Sequence, residues 1–469
     1  KRVASARPSP RAMSALIRQR SAMNLKATSP VASAVPSGLR QTQSVYVAGD
    51  RTTPSPQRAL REETAKPAEI AKKEVELPPL PLLNPGEQVW TMDLSMFDDL
   101  SCYGGVYMRG VVARFALPNG DKDKARFLDI TIVGNGTFYP PKPDRKASDT
   151  SAHGDPGSWK LAKLFTMQAV AYNALWVNHV ATHLPLDAFT AVSLSVLPEY
   201  HVVFQLVQPH TLHTLALEDS LFFASGSPVN HDDTGFYKTW AHGRDEHIKK
   251  LVFGCKQHRF NERLNEIREK KGMRGADFLL AHYEVIHAFV VRVLDHANVD
   301  PTTDVHLLEW ERQLADTVVG LPEIADARDP RAVLAEVVAT FIFEVSVRHS
   351  YDHQSLYHHV PIRWAPLRIH VPPPVQGRCV SPEMLKPTNV VHRLDLLKHR
   401  VFADVFMQWS RNPVVDQSLS KVQYAFATPD LQAEAQTFRD NLKKMDEQLS
   451  QKLGKWHLAS HLVAPSIQW

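Results

Sequence analysis

The stretch from Trp159 to about Leu194 constrains this chain more than any other part of it. It is apolar for most of its length, yet Lys163, Asn173, Asn178, His179, His183 and Asp187 interrupt it. So many polar groups exclude a lipid-facing span, where each would be stranded without water. The pattern suits a helix buried at the centre of a protein, with a polar stripe and a kink predicted at Pro185. His179 and His183 lie four residues apart, so both imidazoles fall on one helix face. A second pair with the same spacing, His349 and His353, falls in another helical segment that starts near Arg331. Two such helices packed face to face would present four imidazoles to one buried metal ion. With 23 histidines in 469 residues, a single pair arises easily by chance. The sequence around the pairs has to carry the case.

Composition removes several alternatives. Hydrophobic residues make up 43% of the chain, enough for a substantial core. The net charge is only +4, and eight Lys or Arg precede the first acid, Asp50, which leaves the remainder at −4. A near-neutral body of this kind argues against nucleic-acid binding. Cys102, Cys255 and Cys379 are too widely spaced for a disulfide framework or a zinc finger. They fit a reducing compartment, or indifference to redox state. Residues 1–60 are rich in Ser, Ala, Arg, Pro and Thr and nearly free of acids. That is the composition of a mitochondrial or plastid transit segment, or of a basic disordered tail. No apolar core of a secretory signal is present.

A Pro-rich joint follows, from Glu76 through Leu77-Pro78-Pro79-Leu80-Pro81 to Gly86, and cannot pack as helix. Residues 1–85 therefore read as a transit-like or disordered segment with its linker, and 86–469 as one mainly α domain ordered from near Trp90. Two or three short strands are expected within 103–140, including Asp129-Ile130-Thr131-Ile132-Val133. Gly154 to Gly157 forms a loop, and the central helix follows it. Further helices are predicted over 275–297, over 331–353 and, as a charged surface helix, over 428–453. Thr428 and Pro429 suit the cap and first position of the last one.

The residues around the histidine pairs resemble the metal-binding region of lipoxygenases. Trp159-Lys160-Leu161-Ala162-Lys163 matches a W-x-x-A-K motif that precedes that family's first iron-ligand histidine, and His179 falls at the family's distance. Counted from Asp187, the landmarks His201, Pro209-His210 and Thr214-Leu215 keep the family spacing as well. Ser346-Val347-Arg348-His349-Ser350-Tyr351-Asp352-His353 is similar to the helix S-x-x-H-x-x-x-N/H-x-x-Q, with Leu356 at the closing Gln. Pro361 to Pro374, with Trp364 and Leu367-Arg368, resembles the segment after that helix. His287-Ala288-Phe289-Val290 and Leu308-Glu309-Trp310 add to the likeness, which covers roughly residues 105–469.

The resemblance implies a lipoxygenase-like helical fold with one non-haem iron held by His179, His183, His349 and His353. It implies a ferric–ferrous cycle, loss of a bis-allylic hydrogen from a polyunsaturated fatty acyl chain, and trapping of the radical by dioxygen as a hydroperoxide. Asp187 stands where the family has Glu and is expected to accept the outer N–H of a ligand imidazole. His201, His210, His358 and His359 are expected to be structural or exposed. Asp352, about 100° around the helix from its neighbour His353, is expected to face solvent or pair with a cation.

The departures point the other way. The family's first two ligands are five apart across a π-type turn; here they are four apart, so a regular α-helix is expected to bring them together without a bulge. An Arg of the family is Ser195 here. The family ends on an Ile whose carboxylate binds iron, whereas this chain ends on Trp469 and looks shorter after the matching proline, Pro465. The family's N-terminal β-sandwich and part of its helical domain are expected to be missing, and apolar surface exposed in that way would call for a protein partner. Two readings follow: a lipoxygenase-like iron dioxygenase, or a catalytically degenerate relative kept as an accessory subunit of a mitochondrial or plastid complex. The region that steers oxygenation in the family corresponds to Leu221–Gly226, which does not align.

Overall fold

In the computed structural model the first regular element among the described residues is a sheet, built where β-branched residues concentrate. Strands β1 (Glu87–Leu94), β2 (Val111–Pro118), β3 (Arg126–Ile132) and β4 (Gly136–Phe138) pair in sequence order, all antiparallel. Asn119 and Gly120, both at positive φ, turn the chain after β2. Arg114 on β2 faces Asp129 on β3 across the ladder. Both are buried, and the guanidinium grips the carboxylate through Nε and Nη2, with the shortest contact at 2.6 Å. Arg114 Nη1 also donates to the carbonyl of Pro78 at 2.9 Å, tying part of the Pro-rich joint to the sheet. Sequence patterning pointed to Asp129–Val133 but not to β1. That edge strand is half exposed and carries charged residues, so its alternation is weak.

The structure describes residues 74–80, 83–121, 124–141, 154–212, 214–215, 240–242, 260–358, 365–402 and 418–467. The transit-like segment, Leu221–Gly226, His359, Pro361–Trp364 and the terminal Gln468 and Trp469 lie outside them. So do the side chains of Pro185, Leu356 and His358.

The sheet packs on helix α1 (Pro156–Tyr172), which starts where Asp155 accepts the Ser158 N–H at 2.7 Å and Pro156 takes the first turn. α1 continues through a π turn, Asn173–His179, into α2 (Val180–Val196). This continuous run is the predicted central helix, and it passes through Pro185 to Val196. After α2 come α3 (Val202–Val207), α4 (Glu262–Glu269), α5 (Arg274–His296) and α6 (Val305–Thr317). Helix α7 (Pro330–Phe343), a second π turn (Glu344–Arg348) and α8 (His349–His358) form a second continuous run. Helices α9 (Arg393–Phe402) and α10 (Pro429–Leu453) follow, α10 with the Thr428 cap that the sequence predicts.

Two apolar cores result. One joins the sheet to α1 through Ile130, Ile132, Phe138, Trp159 and Phe165 and ends at Leu175 and Trp176. The other gathers α2, α5, α7 and α10 and begins on the central helix at Leu186. Phe189 stacks on Phe341 with ring centroids 4.2 Å apart, and Phe289 on Phe438 at 4.5 Å. The charged helix α10 is thus amphipathic, its Leu431, Phe438, Leu442 and Leu449 sealing the second core. Among the described residues no helix is long and apolar enough to cross a membrane. The stretch Asn178–Asp187 lies at the seam between the two cores.

Candidate metal centre

Both histidine pairs occupy that seam, and both follow a π turn. His179 is the last residue of the first π turn, and His349 is the first residue after the second. The expectation of a regular helix without a bulge is therefore wrong. The four-residue spacing within each pair does not remove the irregularity, which ends at His179 in the first run and at Arg348, next to His349, in the second. A π turn accommodates an extra residue and re-phases the helix faces on either side of it. Upstream, Trp176 packs edge-on against Trp240 and His242; downstream, the imidazoles face the second helix. Loosened carbonyls in such turns need donors, and side chains provide them. Arg263 Nη2 donates to Asn178 O at 2.6 Å, Ser350 Oγ to Ser346 O at 2.6 Å, and Ser346 Oγ to Ile342 O.

The four imidazoles converge. His179 and His183 bring their Nε2 atoms to 3.1 Å, and His349 and His353 theirs to 3.3 Å. Across the two helices, ring centroids of His179 lie 5.1 Å from His349 and 4.7 Å from His353, and His183 lies 4.8 Å from His349. One nitrogen each of His179, His349 and His353 lies within 4.8 Å of the others; His183 is not in that trio and joins it through its contacts with His179 and His349. All four residues are buried. An ion with metal–nitrogen bonds of about 2.1 Å separates adjacent ligands by about 3 Å, which is the spacing seen within each pair. Burial drives the pKa of His183 well below the ordinary value, assisted by His179 and His349. Burial likewise lowers His349, with His353 and His179 adding to it. Neutral imidazole is the form that binds metal, so the donor set fits a divalent transition ion.

The charges around the rings come largely from residues the sequence reading did not assign to the site. Asp352 is half-buried and turned toward the cluster rather than to solvent, and its Oδ2 lies 3.8 Å from His179 Nδ1. Its other oxygen accepts from Arg348 Nε at 3.1 Å, the cation-paired alternative the sequence left open. Burial would raise the Asp352 carboxyl, but Arg348, the His179 contact and Arg263 outweigh it and hold it ionised. Thr182 Oγ1 bridges Arg263 Nη1, at 2.8 Å, to Asp352 Oδ2, at 3.4 Å. Glu344, in the second π turn, is buried, and its carboxyl is raised by that burial. Arg348 and Asp352 were legible as an i,i+4 pair; Arg263, on α4, had no signal in the sequence. Asp187 is buried one turn beyond His183.

His201 and His210 are structural. His201 caps α3 and bonds Asp304 at 3.0 Å. His210 joins Pro465 O, at 2.5 Å, to the Tyr424 hydroxyl, at 2.9 Å. The segment Val463–Ile467 is buried, and the Ala464 N–H bonds Ser350 Oγ, on the residue next to His349, at 3.0 Å. The chain is thus drawn in beside the histidine cluster just before Trp469, which lies outside the described residues.

Fold and site together define a mainly helical protein with a four-histidine centre between two π-interrupted helices. No family model matches the chain. Rat polyunsaturated fatty acid lipoxygenase ALOX15 is 22% identical over 334 residues, 66% of this chain and 48% of that protein. A lipoxygenase structure solved with arachidonate superposes with TM-score 0.64 at 16% identity, covering 81% of this chain and 59% of that one. The coral 8R-lipoxygenase structure gives 0.62 at 17% identity, with 81% and 58% covered. The fold is that of lipoxygenases, and the chain is a divergent lipoxygenase-like protein that spans about half the length of the curated relative.

Proposed function

We propose that this chain is a lipoxygenase-like non-haem iron dioxygenase acting on polyunsaturated fatty acyl chains. The observation that carries the reading is the convergence of four buried imidazoles, His179, His183, His349 and His353, from two helices. These residues would hold the iron, which supplies one-electron chemistry when bound. Burial keeps His183 and His349 deprotonated and available as ligands. Asp352 orients His179 and adds a negative charge beside an otherwise neutral donor set. Arg348, Arg263 and Thr182 hold that carboxylate in place. Apolar cores lie on either side of the seam, and all four histidines are buried between them.

Oxygen uptake with linoleic or arachidonic acid tests the proposal, with conjugated diene measured in parallel. The iron-loaded protein is expected to consume oxygen and form diene, and His349→Ala to do neither while keeping its thermal unfolding transition. Iron-loaded protein without uptake would sink the catalytic reading. It would leave the accessory-subunit reading, with its site of action in a mitochondrion or plastid.

A further inference from the structure

A second group of metal-ligand side chains lies outside the central site, where an extended segment meets the start of α9. His370, His392 and Asp395 each place one donor atom within 4.8 Å of the other two. The backbone fixes their spacing: His370 N–H donates to Val390 O at 2.9 Å, and Leu396 N–H to His392 O at 3.0 Å. His392 and Asp395 are three residues apart at a helix start, so they share a face. Asp395 is buried, and its Oδ2 accepts from His370 Nε2 at 2.6 Å. His392 is exposed and stacks on His370 with centroids 3.6 Å apart.

We infer that His370, His392 and Asp395 form a second binding site for a divalent transition ion of the Zn2+ type, with water in the open position. Two imidazoles and one carboxylate are a common donor set for such ions, completed by solvent. In the absence of metal, the His370 N–H proton occupies the space between ring and carboxylate. An ion displaces that proton and has to widen the 2.6 Å contact to about 3.3 Å, the edge of a tetrahedron with bonds of about 2.0 Å. The exposed His392 ring has to tilt out of its stack to aim a nitrogen at the same point. Arg368 Nε lies 3.5 Å from the same Asp395 oxygen and fixes the carboxylate from outside the donor set. Arg368 is in turn pinned by Trp240 O at 2.9 Å and by the Tyr103 ring.

The test is equilibrium dialysis of the full chain against Zn2+, and against Co2+ for its visible spectrum. Wild type, His392→Ala and His392→Glu are compared. The inference predicts one ion fewer per chain, or at least a tenfold weaker second affinity, in His392→Ala, with recovery in His392→Glu. His392 is exposed, so neither change should disturb folding, and the central histidines remain as an internal reference. Equal stoichiometry and affinity in wild type and His392→Ala would overturn it. Second-ion binding that needs millimolar Zn2+, or that the Glu variant fails to restore, would mark an adventitious ion and overturn it too.

Discussion

His210 makes the stability of this protein depend on pH in a calculable way. Burial brings its pKa down to about 4, although the Pro465 carbonyl pulls in the opposite direction. The neutral ring donates from Nδ1 to Pro465 O and accepts at Nε2 from the Tyr424 hydroxyl. Burial raises the Tyr424 phenol, so it remains a donor. Protonating Nε2 sets two donors against each other and loosens the segment Val463–Ile467 beside the histidine cluster. An unfolded histidine titrates near 6.5, so between pH 6.5 and 4 the unfolded state binds the extra proton. The contribution is therefore complete above about pH 6.5 and disappears as pH falls toward 4. The stability lost relative to neutral pH is about 2 kcal/mol at pH 5 and about 3 kcal/mol at the acid limit. Urea unfolding at pH 7.5 and pH 5.0 measures it, with His210→Gln as the partner, since Gln can bond both neighbours without titrating. Subtracting the two proteins removes the contributions of the other buried histidines, such as His282. Wild type should lose about 2 kcal/mol more than His210→Gln between the two pH values. Equal losses would refute the reasoning.

Three further outcomes follow from the packing. Ser350→Ala removes the donor to Ser346 O and the acceptor for the Ala464 N–H. It should cost about 1–3 kcal/mol by chemical denaturation. Asp352→Asn removes the carboxylate beside His179 and strands Arg348. Iron affinity, measured by competition with a chelator, should fall about 10–100-fold. Arg114→Met leaves Asp129 buried without its cation and should cost about 3–5 kcal/mol, much of it recovered in Arg114→Met with Asp129→Leu.

What could be read from sequence follows from what is local. The polar stripe in an apolar run marked the central helix, and i,i+4 spacing put each histidine pair on one face. Thr428 and Pro429 set the start of α10 because a cap is a three-residue event. The π turns were not legible, since no propensity distinguishes Asn173–His179 or Glu344–Arg348 from α-helix. Their carbonyls are paired by Arg263 and Ser350, and the Arg263 contact spans 85 residues. Asp352 was misjudged in part because its angle on an isolated helix ignores the second helix, which brings His179 to it. Strand β1 escaped notice because an exposed edge strand needs little hydrophobic alternation.

The central claim is that His179, His183, His349 and His353 hold one ion together. Metal content per chain, measured by mass spectrometry after anaerobic loading with ferrous iron, tests it most directly. The His392→Ala background removes or weakens the second group, so among the described residues the central cluster is the remaining group of metal-ligand side chains. The account predicts one iron per chain there, and none when His349→Ala is added. A chain that takes up no iron in the His392→Ala background, or that keeps it when His349 is replaced, would contradict the account.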